Sequence, residues 1–269
     1  MGQYPAPARL GIFILFLLLI WLPGAAPLYF LFQSDPNLVT ILTMGLLLLE
    51  FLVLVKFWGK KVYQDSQIFK TYGIAFNRNS FHLFANGLAI GLFFTLGLFF
   101  VESALGWVSL QSAKVSLLRI IAEGFISALG VSFAEELFFR GWLFDELKRD
   151  YSLKIAAWAN ALIFATLHFL KPLGEVMRTF PQFPGLIVLG LTLVWAKESA
   201  RSRLGIAIGL HAGLVWGYYI LNVGEIVTYT NRVSPWITGV DGNPVAGLMG
   251  LFFLGIMAFW FRRKFEKVR

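Results

Sequence analysis

Two adjacent glutamates, an arginine four residues on and two histidines are the groups in this chain whose types and spacing could do chemistry. In Phe133-Ala134-Glu135-Glu136-Leu137-Phe138-Phe139-Arg140 both carboxylates sit inside an apolar run, where like charges so close resist joint ionisation. Glu136 and Arg140 are four residues apart and can pair on one helix face, whereas Glu135 points about 100° away. One carboxylate therefore has a structural partner and the other has none. His168 and His211 are two of only three histidines. A glutamate assisted by a histidine can take a proton from a water held between them, and a second histidine can donate to the oxyanion that forms on a carbonyl. The same Glu135, His168 and His211 would make a His₂Glu site for Zn²⁺ with one open position. Residue types leave these two chemistries open. The structural alternative makes both glutamates members of a salt-bridge network that holds helices together.

These groups have to be positioned by membrane helices. Of the 269 residues 58% are hydrophobic, more than a soluble core of this length can hide, so lipid must cover the rest. A helical span takes about 20 apolar residues. Candidates lie at 10–32, 38–58, 82–107, 117–144, 153–170, 183–198, 203–222 and 245–262, which predicts an all-α, polytopic transmembrane bundle of about eight spans in a single domain, 1–269. The last turns of the fourth span are expected to project into water. The sixth is short enough to be interrupted, and Pro23 is expected to kink the first. The Arg9-led apolar run with Gly24-Ala25-Ala26 has some features of a signal peptide, but Pro27 and continuing apolar sequence favour its staying as a first helix.

Basic residues set the expected orientation. Arg9, Lys56, Lys60, Lys61, Lys70, Arg78, Arg140, Lys148, Arg149, Lys154, Lys197, Arg201, Arg203, Arg262, Arg263, Lys264, Lys267 and Arg269 fall to one face under eight alternating spans. Lys114, Arg119, Lys171, Arg178 and Arg232 fall to the other. The first group marks the cytoplasmic face, so both termini are expected there. The net charge of +8 is then explained by orientation and anionic headgroups rather than by nucleic acid. The chain has no cysteine, which removes disulfides, thiolate nucleophiles and thiolate metal sites.

Depth brings the chemical groups together. Glu135 precedes Lys148 by 13 residues and His168 follows Lys154 by 14. At about 1.5 Å per residue both lie roughly 20 Å inward from the same face. His211 lies eight residues beyond Arg203, about 12 Å in. Glu50, Glu102, Glu123 and His82 lie near span ends or alone and are expected at interfaces or in buried hydrogen bonds. The 222–244 segment, rich in Asn, Pro and Gly, is expected to be structured or re-entrant.

Glu135-Glu136-x-x-x-Arg140, then Phe164-x-x-x-His168, then His211 resemble the three ordered motifs of the CPBP family. These are the CAAX-protease and bacteriocin-processing intramembrane proteases, which include Rce1-type prenyl-protein endopeptidases. The resemblance covers roughly 118–222. It implies an eight-helix bundle with a membrane cavity, Glu135 and His168 as water activators, His211 in the oxyanion role, and Glu136 and Arg140 as supports, with Phe164 in the second motif. Members are described both as metalloproteases and as glutamate-type proteases, so the resemblance leaves Zn²⁺ open. The family usually carries Asn or Asp four residues after the last histidine. Here that residue is Val215, which leaves Asn160 or Asn222 to supply a second donor.

The expected function is thus an intramembrane endopeptidase of the cell membrane. Its partners would be a membrane-associated protein or peptide substrate and the lipid bilayer, with no nucleic acid. A catalytically silent scaffold of the same fold is the alternative that Val215 motivates. A proton-coupled transporter is the third reading, and the chain lacks the paired broken helices such folds show. Gly130-Val131-Ser132 is only faintly similar to a rhomboid Gly-x-Ser motif, since Phe133 stands where a second Gly is expected; Ser132 is expected in helix packing.

Overall fold

The computed structural model describes residues 1–268; Arg269, counted with the basic tail, lies outside the described residues. Helix follows helix in a bundle. The first elements are α1 (Ala6–Leu31), α2 (Pro36–Val62), the single turn α3 (Ile68–Thr71), α4 (Arg78–Ala104) and the short strand β1 (Val108–Leu110). Then come α5 (Leu117–Glu136), a π-helical turn over Leu137–Leu143, α6 (Phe144–Asp150), α7 (Leu153–Leu167), α8 (Leu173–Thr179) and α9 (Phe183–Ser199). α10 (Gly205–Val223), β2 (Val227–Tyr229), α11 (Pro235–Thr238) and α12 (Leu248–Glu266) complete the order.

Among the described residues six helical stretches are long and apolar enough to cross a membrane: Ala6–Leu31, Pro36–Val62, Arg78–Ala104, Leu117–Asp150, Leu173–Ser199 and Gly205–Val223. The other two expected spans are helices that fall short for identifiable reasons. α7 has only 15 residues, less than the span length a bilayer core asks of an untilted helix. α12 is 19 residues long but carries Arg262, Arg263 and Lys264 in its last turns. The fourth expected span is longer than its apolar run, because α5, the π turn and α6 are continuous to Asp150. Tyr151 then turns extended, and the Ser152 side chain accepts the Ile155 N–H to start α7. The sixth expected span, 183–198, is not interrupted: it is the unbroken helix α9, extended at its start by α8 and a 3₁₀ turn over Phe180–Gln182. Helix α1 continues through Pro23 and Pro27. The 222–244 segment is structured: β2 pairs antiparallel with β1, Val108 opposite Tyr229, and α11 follows.

Arg9, Lys148 and Arg149, three of the first group of basic residues, make their ion pairs around α6 at one end of the fourth span. Arg9, 3% exposed, bonds Glu146 at 3.0 Å and Asp150 at 3.2 Å. Tyr63 donates its hydroxyl to the same Glu146 at 2.6 Å. Burial and that bond push the Tyr63 hydroxyl up to about 12, so it stays a donor. Lys148 pairs with Glu198 at 3.3 Å. The opposite end holds the β1–β2 pair and the ion pairs Lys114–Glu225 and Arg178–Asp241.

The core is built around the π turn. Trp142 lies 4.4 Å from Phe13 and 5.1 Å from Phe138, ring centre to ring centre, and joins α1 and α2 to the fourth span. Helices α4 and α10 meet backbone to backbone. A methyl group on Gly209 would lie 2.0 Å from the Phe84 carbonyl oxygen, and one on Gly213 would lie 2.2 Å from that of Leu88. Small residues at four-residue spacing permit this approach in a bilayer, and it fixes the helix that carries His211.

Candidate active site

Glu136 is the centre of the buried cluster. It ends α5, is fully buried, and its Oε1 accepts both Arg140 Nη1 at 2.8 Å and His211 Nδ1 at 2.9 Å. The first contact is the four-residue pairing expected from spacing. The second joins α5 to α10. With Nδ1 turned to Glu136, the Nε2 edge of His211 faces Glu135, whose Oε2 lies 4.0 Å away. Glu135 is the more accessible of the two carboxylates, its side chain 30% exposed. Its Oε2 is nevertheless buried and has no hydrogen-bond partner among the described residues. A carboxylate oxygen so placed is poorly satisfied by the protein alone, as a group reserved for a reacting molecule would be.

His168 follows the last residue of α7 and is half-buried. Its Nδ1 lies 2.7 Å from the Phe164 carbonyl oxygen. A carbonyl only accepts, so Nδ1 carries the proton and the lone pair of the neutral ring is on Nε2. The Phe164 ring stands edge-on to His168 at 4.5 Å and lies under the Arg140 guanidinium at 4.2 Å. Phe164 therefore links the second motif to the Glu136–Arg140 pair. Among the described residues no hydrogen bond or ion pair joins His168 directly to Glu135 or His211.

The π turn begins directly after Glu136 and contains Arg140. Such turns widen the helix and are frequent at functional sites. Two buried side chains from other helices meet its carbonyls: Asn160 Nδ2 donates to Phe139 at 2.7 Å, and Lys197 Nζ donates to Arg140 at 2.6 Å. Lys197 is neutralised by Asp145 at 3.1 Å.

His211 also borders a cavity of about 230 Å³ whose wall includes Leu189, Leu214, Val215, Phe253 and Met257. Val215 thus presents a methyl-lined wall one helical turn from His211. Neither expected substitute donor stands there: the Asn160 amide is held by Phe139, and Asn222 is exposed, eleven residues along α10 and about 16 Å from His211.

Residues 116–217 match the family model Rce1-like, described as type II CAAX prenyl endopeptidase Rce1-like. This segment is similar to the Rce1-like family over somewhat more than a third of the chain. All six expected site residues, Glu135, Glu136, Arg140, Phe164, His168 and His211, lie inside it. No curated protein and no solved structure was found to match the chain.

Glu135, His168 and His211 do not converge as a zinc site. Among the described residues no three His, Asp or Glu side chains gather as a metal-binding group. His211 Nδ1 is engaged by Glu136 and His168 Nδ1 by a carbonyl, as metal-bound histidines also are, so what argues against the site is the separation of the two rings, which among the described residues are linked only through Phe164, Arg140 and Glu136.

Other expected placements are mixed. His82 and Glu123 are exposed, Glu123 pairing with Arg119 at 2.7 Å. Ser132 is fully buried with an unpartnered hydroxyl. Glu102, expected near a span end, is there but fully buried, and both its carboxylate oxygens lack partners. Lys197 escaped sequence reasoning because a lysine near a span end reads as a topology marker. Its only distinguishing sign was its place inside an otherwise apolar run with Glu198.

Proposed function

We propose that the chain is an intramembrane endopeptidase that hydrolyses a peptide bond of a membrane-associated protein or peptide, with a water activated by Glu135 and His168. The observation that carries this reading is the buried, unpartnered Glu135 Oε2 facing His211 Nε2. Glu135 takes a proton from the water, with the Nε2 lone pair of His168 as the second acceptor. The hydroxide attacks the scissile carbonyl carbon. His211, held through Nδ1 by Glu136, donates from Nε2 in its protonated form to the oxyanion that develops. The proton held by Glu135 passes to the leaving nitrogen as the C–N bond breaks. Arg140 and Glu136 form the buried support of His211, and Phe164 supports His168.

The family description points to a prenylated CAAX protein as the substrate class. In this proposal the end carrying Arg9, Lys148 and Lys197 faces the cytoplasm, both termini lie there, and the protein is an integral component of the cell membrane.

Val215 supports one second reading, a scaffold of the same fold that binds partners without cutting them. The test is cleavage of a panel of prenylated and unprenylated membrane peptides by purified protein in detergent, comparing wild type, Glu135→Gln and His168→Ala, with and without a chelator. Cleavage lost in both variants supports the peptidase. Equal behaviour of wild type and folded variants, in micelles and in cells, favours the scaffold, and the chelator arm reports directly on metal dependence.

A further inference from the structure

The π turn between α5 and α6 carries Arg140, and two of its buried carbonyls are met by two buried donors that take no part in the proposed chemistry. Asn160 is fully buried on α7 and reaches the Phe139 carbonyl at 2.7 Å. Lys197 is fully buried on α9 and reaches the Arg140 carbonyl at 2.6 Å. A buried lysine is costly unless its charge is paired and its donors are used. Here the second donor goes to Asp145, three residues past Trp142 on the same continuous helix. Two consecutive carbonyls in the middle of the turn are therefore tied to neighbouring helices by side chains.

We propose that Asn160 and Lys197 are positioning residues that hold the π turn in register, so that Arg140 meets Glu136 and Phe164 at once and Glu136 in turn holds His211. The chain of contacts is continuous. Lys197 and Asn160 fix the carbonyls of consecutive residues, Phe139 and Arg140. Arg140 then bonds Glu136 at 2.8 Å and lies over Phe164 at 4.2 Å. Glu136 bonds His211 at 2.9 Å, and Phe164 packs on His168 at 4.5 Å. An α-helical turn in place of the π turn would leave Arg140 within four-residue reach of Glu136 but change the angle at which it leaves the helix, so that it could not also lie over Phe164, which packs on His168. Lys197 and Asn160 thereby orient the whole candidate site without touching the reacting atoms. This proposal rests on the peptidase reading only for its kinetic arm.

The experiment uses the full chain in detergent micelles and the variants Asn160→Leu and Lys197→Met, which keep side-chain volume and remove the donors. Lys197→Met strands the Asp145 carboxylate, so a third variant, Lys197→Met/Asp145→Asn, removes the charge from both sides. Two readouts are taken: kcat and KM on a farnesylated, internally quenched CAAX peptide, and backbone amide exchange over residues 137–144. The expected result is a fall in kcat of about 10²-fold with KM little changed, and exchange in 137–144 faster by about tenfold with α10 unaffected. Wild-type exchange and kcat in both Asn160→Leu and the double variant overturn the proposal, because the carbonyl contacts are then dispensable. Recovery of both readouts in the double variant alone overturns the role of Lys197. If the wild type leaves the peptide uncut, the peptidase reading is what fails, and the exchange measurement decides the positioning role by itself.

Discussion

Oε1 of Glu136 receives two donors at nearly equal distance, Arg140 Nη1 at 2.8 Å and His211 Nδ1 at 2.9 Å. One oxygen thus ties a helix to its own next turn and to a second helix. Both partners are buried, so charge and hydrogen bonding are tightly coupled. Breaking such a pair from one side leaves the other charge stranded. Glu136→Gln and Arg140→Met should each lower unfolding stability by about 3–5 kcal/mol, and the double variant should lose clearly less than their sum. Denaturation of the three variants in micelles measures this. Additive losses would mean that the pair is not coupled.

Glu135 stands in a different environment, and its removal should act differently. Among the described residues its one ion-pair contact is with His211 at 4.0 Å, its side chain is 30% exposed, and its buried oxygen has no hydrogen-bond partner to lose. Glu135→Gln should leave the melting temperature close to wild type and lower cleavage by about 10²–10⁴-fold, the range general-base catalysis supplies. A paired comparison of melting curves and turnover decides it. Large destabilisation with partial activity would put Glu135 among the structural carboxylates.

This contrast shows what could be read from the sequence. That Glu136 would pair with Arg140 and that Glu135 would not follows from four-residue spacing, and the geometry agrees. The family motifs were equally legible, because a few residues at fixed spacing identify them. The Glu136–His211 contact was not, since 75 residues separate the pair and only the crossing of α5 and α10 brings them together. The π turn was also hidden, because hydrophobic periodicity continues smoothly through Leu137–Leu143. The count of eight spans came from apolar run length alone. α7 and α12 have such runs, but one is too short and the other ends in three basic residues.

The close crossing of α4 and α10 was likewise within reach of the sequence. Gly205, Gly209, Gly213 and Gly217 recur every four residues in α10, and Gly87 and Gly91 answer them in α4. Gly213→Val would drive a side chain into the Leu88 carbonyl and push the helices apart. The expected loss is about 1–3 kcal/mol of stability, together with activity, because His211 sits two residues away on the displaced helix. Gly130→Ala, where a methyl group meets nothing within 4 Å, should be neutral in the same thermal assay. Equal tolerance at both sites would contradict the tight crossing.

Val215 gives the sharpest test of how the missing donor matters. It lies one turn beyond His211 on the wall of the same apolar cavity, where an Asn or Asp would present a polar group. A preorganised donor at a developing oxyanion is worth about 10²–10³ in rate when removed from a working site. Adding one should recover part of that, since the backbone is already placed and only the side chain changes. Val215→Asn is expected to raise kcat about tenfold, less than the full range because an amide buried among Leu214, Phe253 and Met257 has its own desolvation cost. The gain should appear in kcat rather than KM, because the interaction forms only as charge develops on the carbonyl. A lower kcat with unchanged stability would show that the apolar wall itself is what this site uses, and that a second donor from α10 has no place in its chemistry.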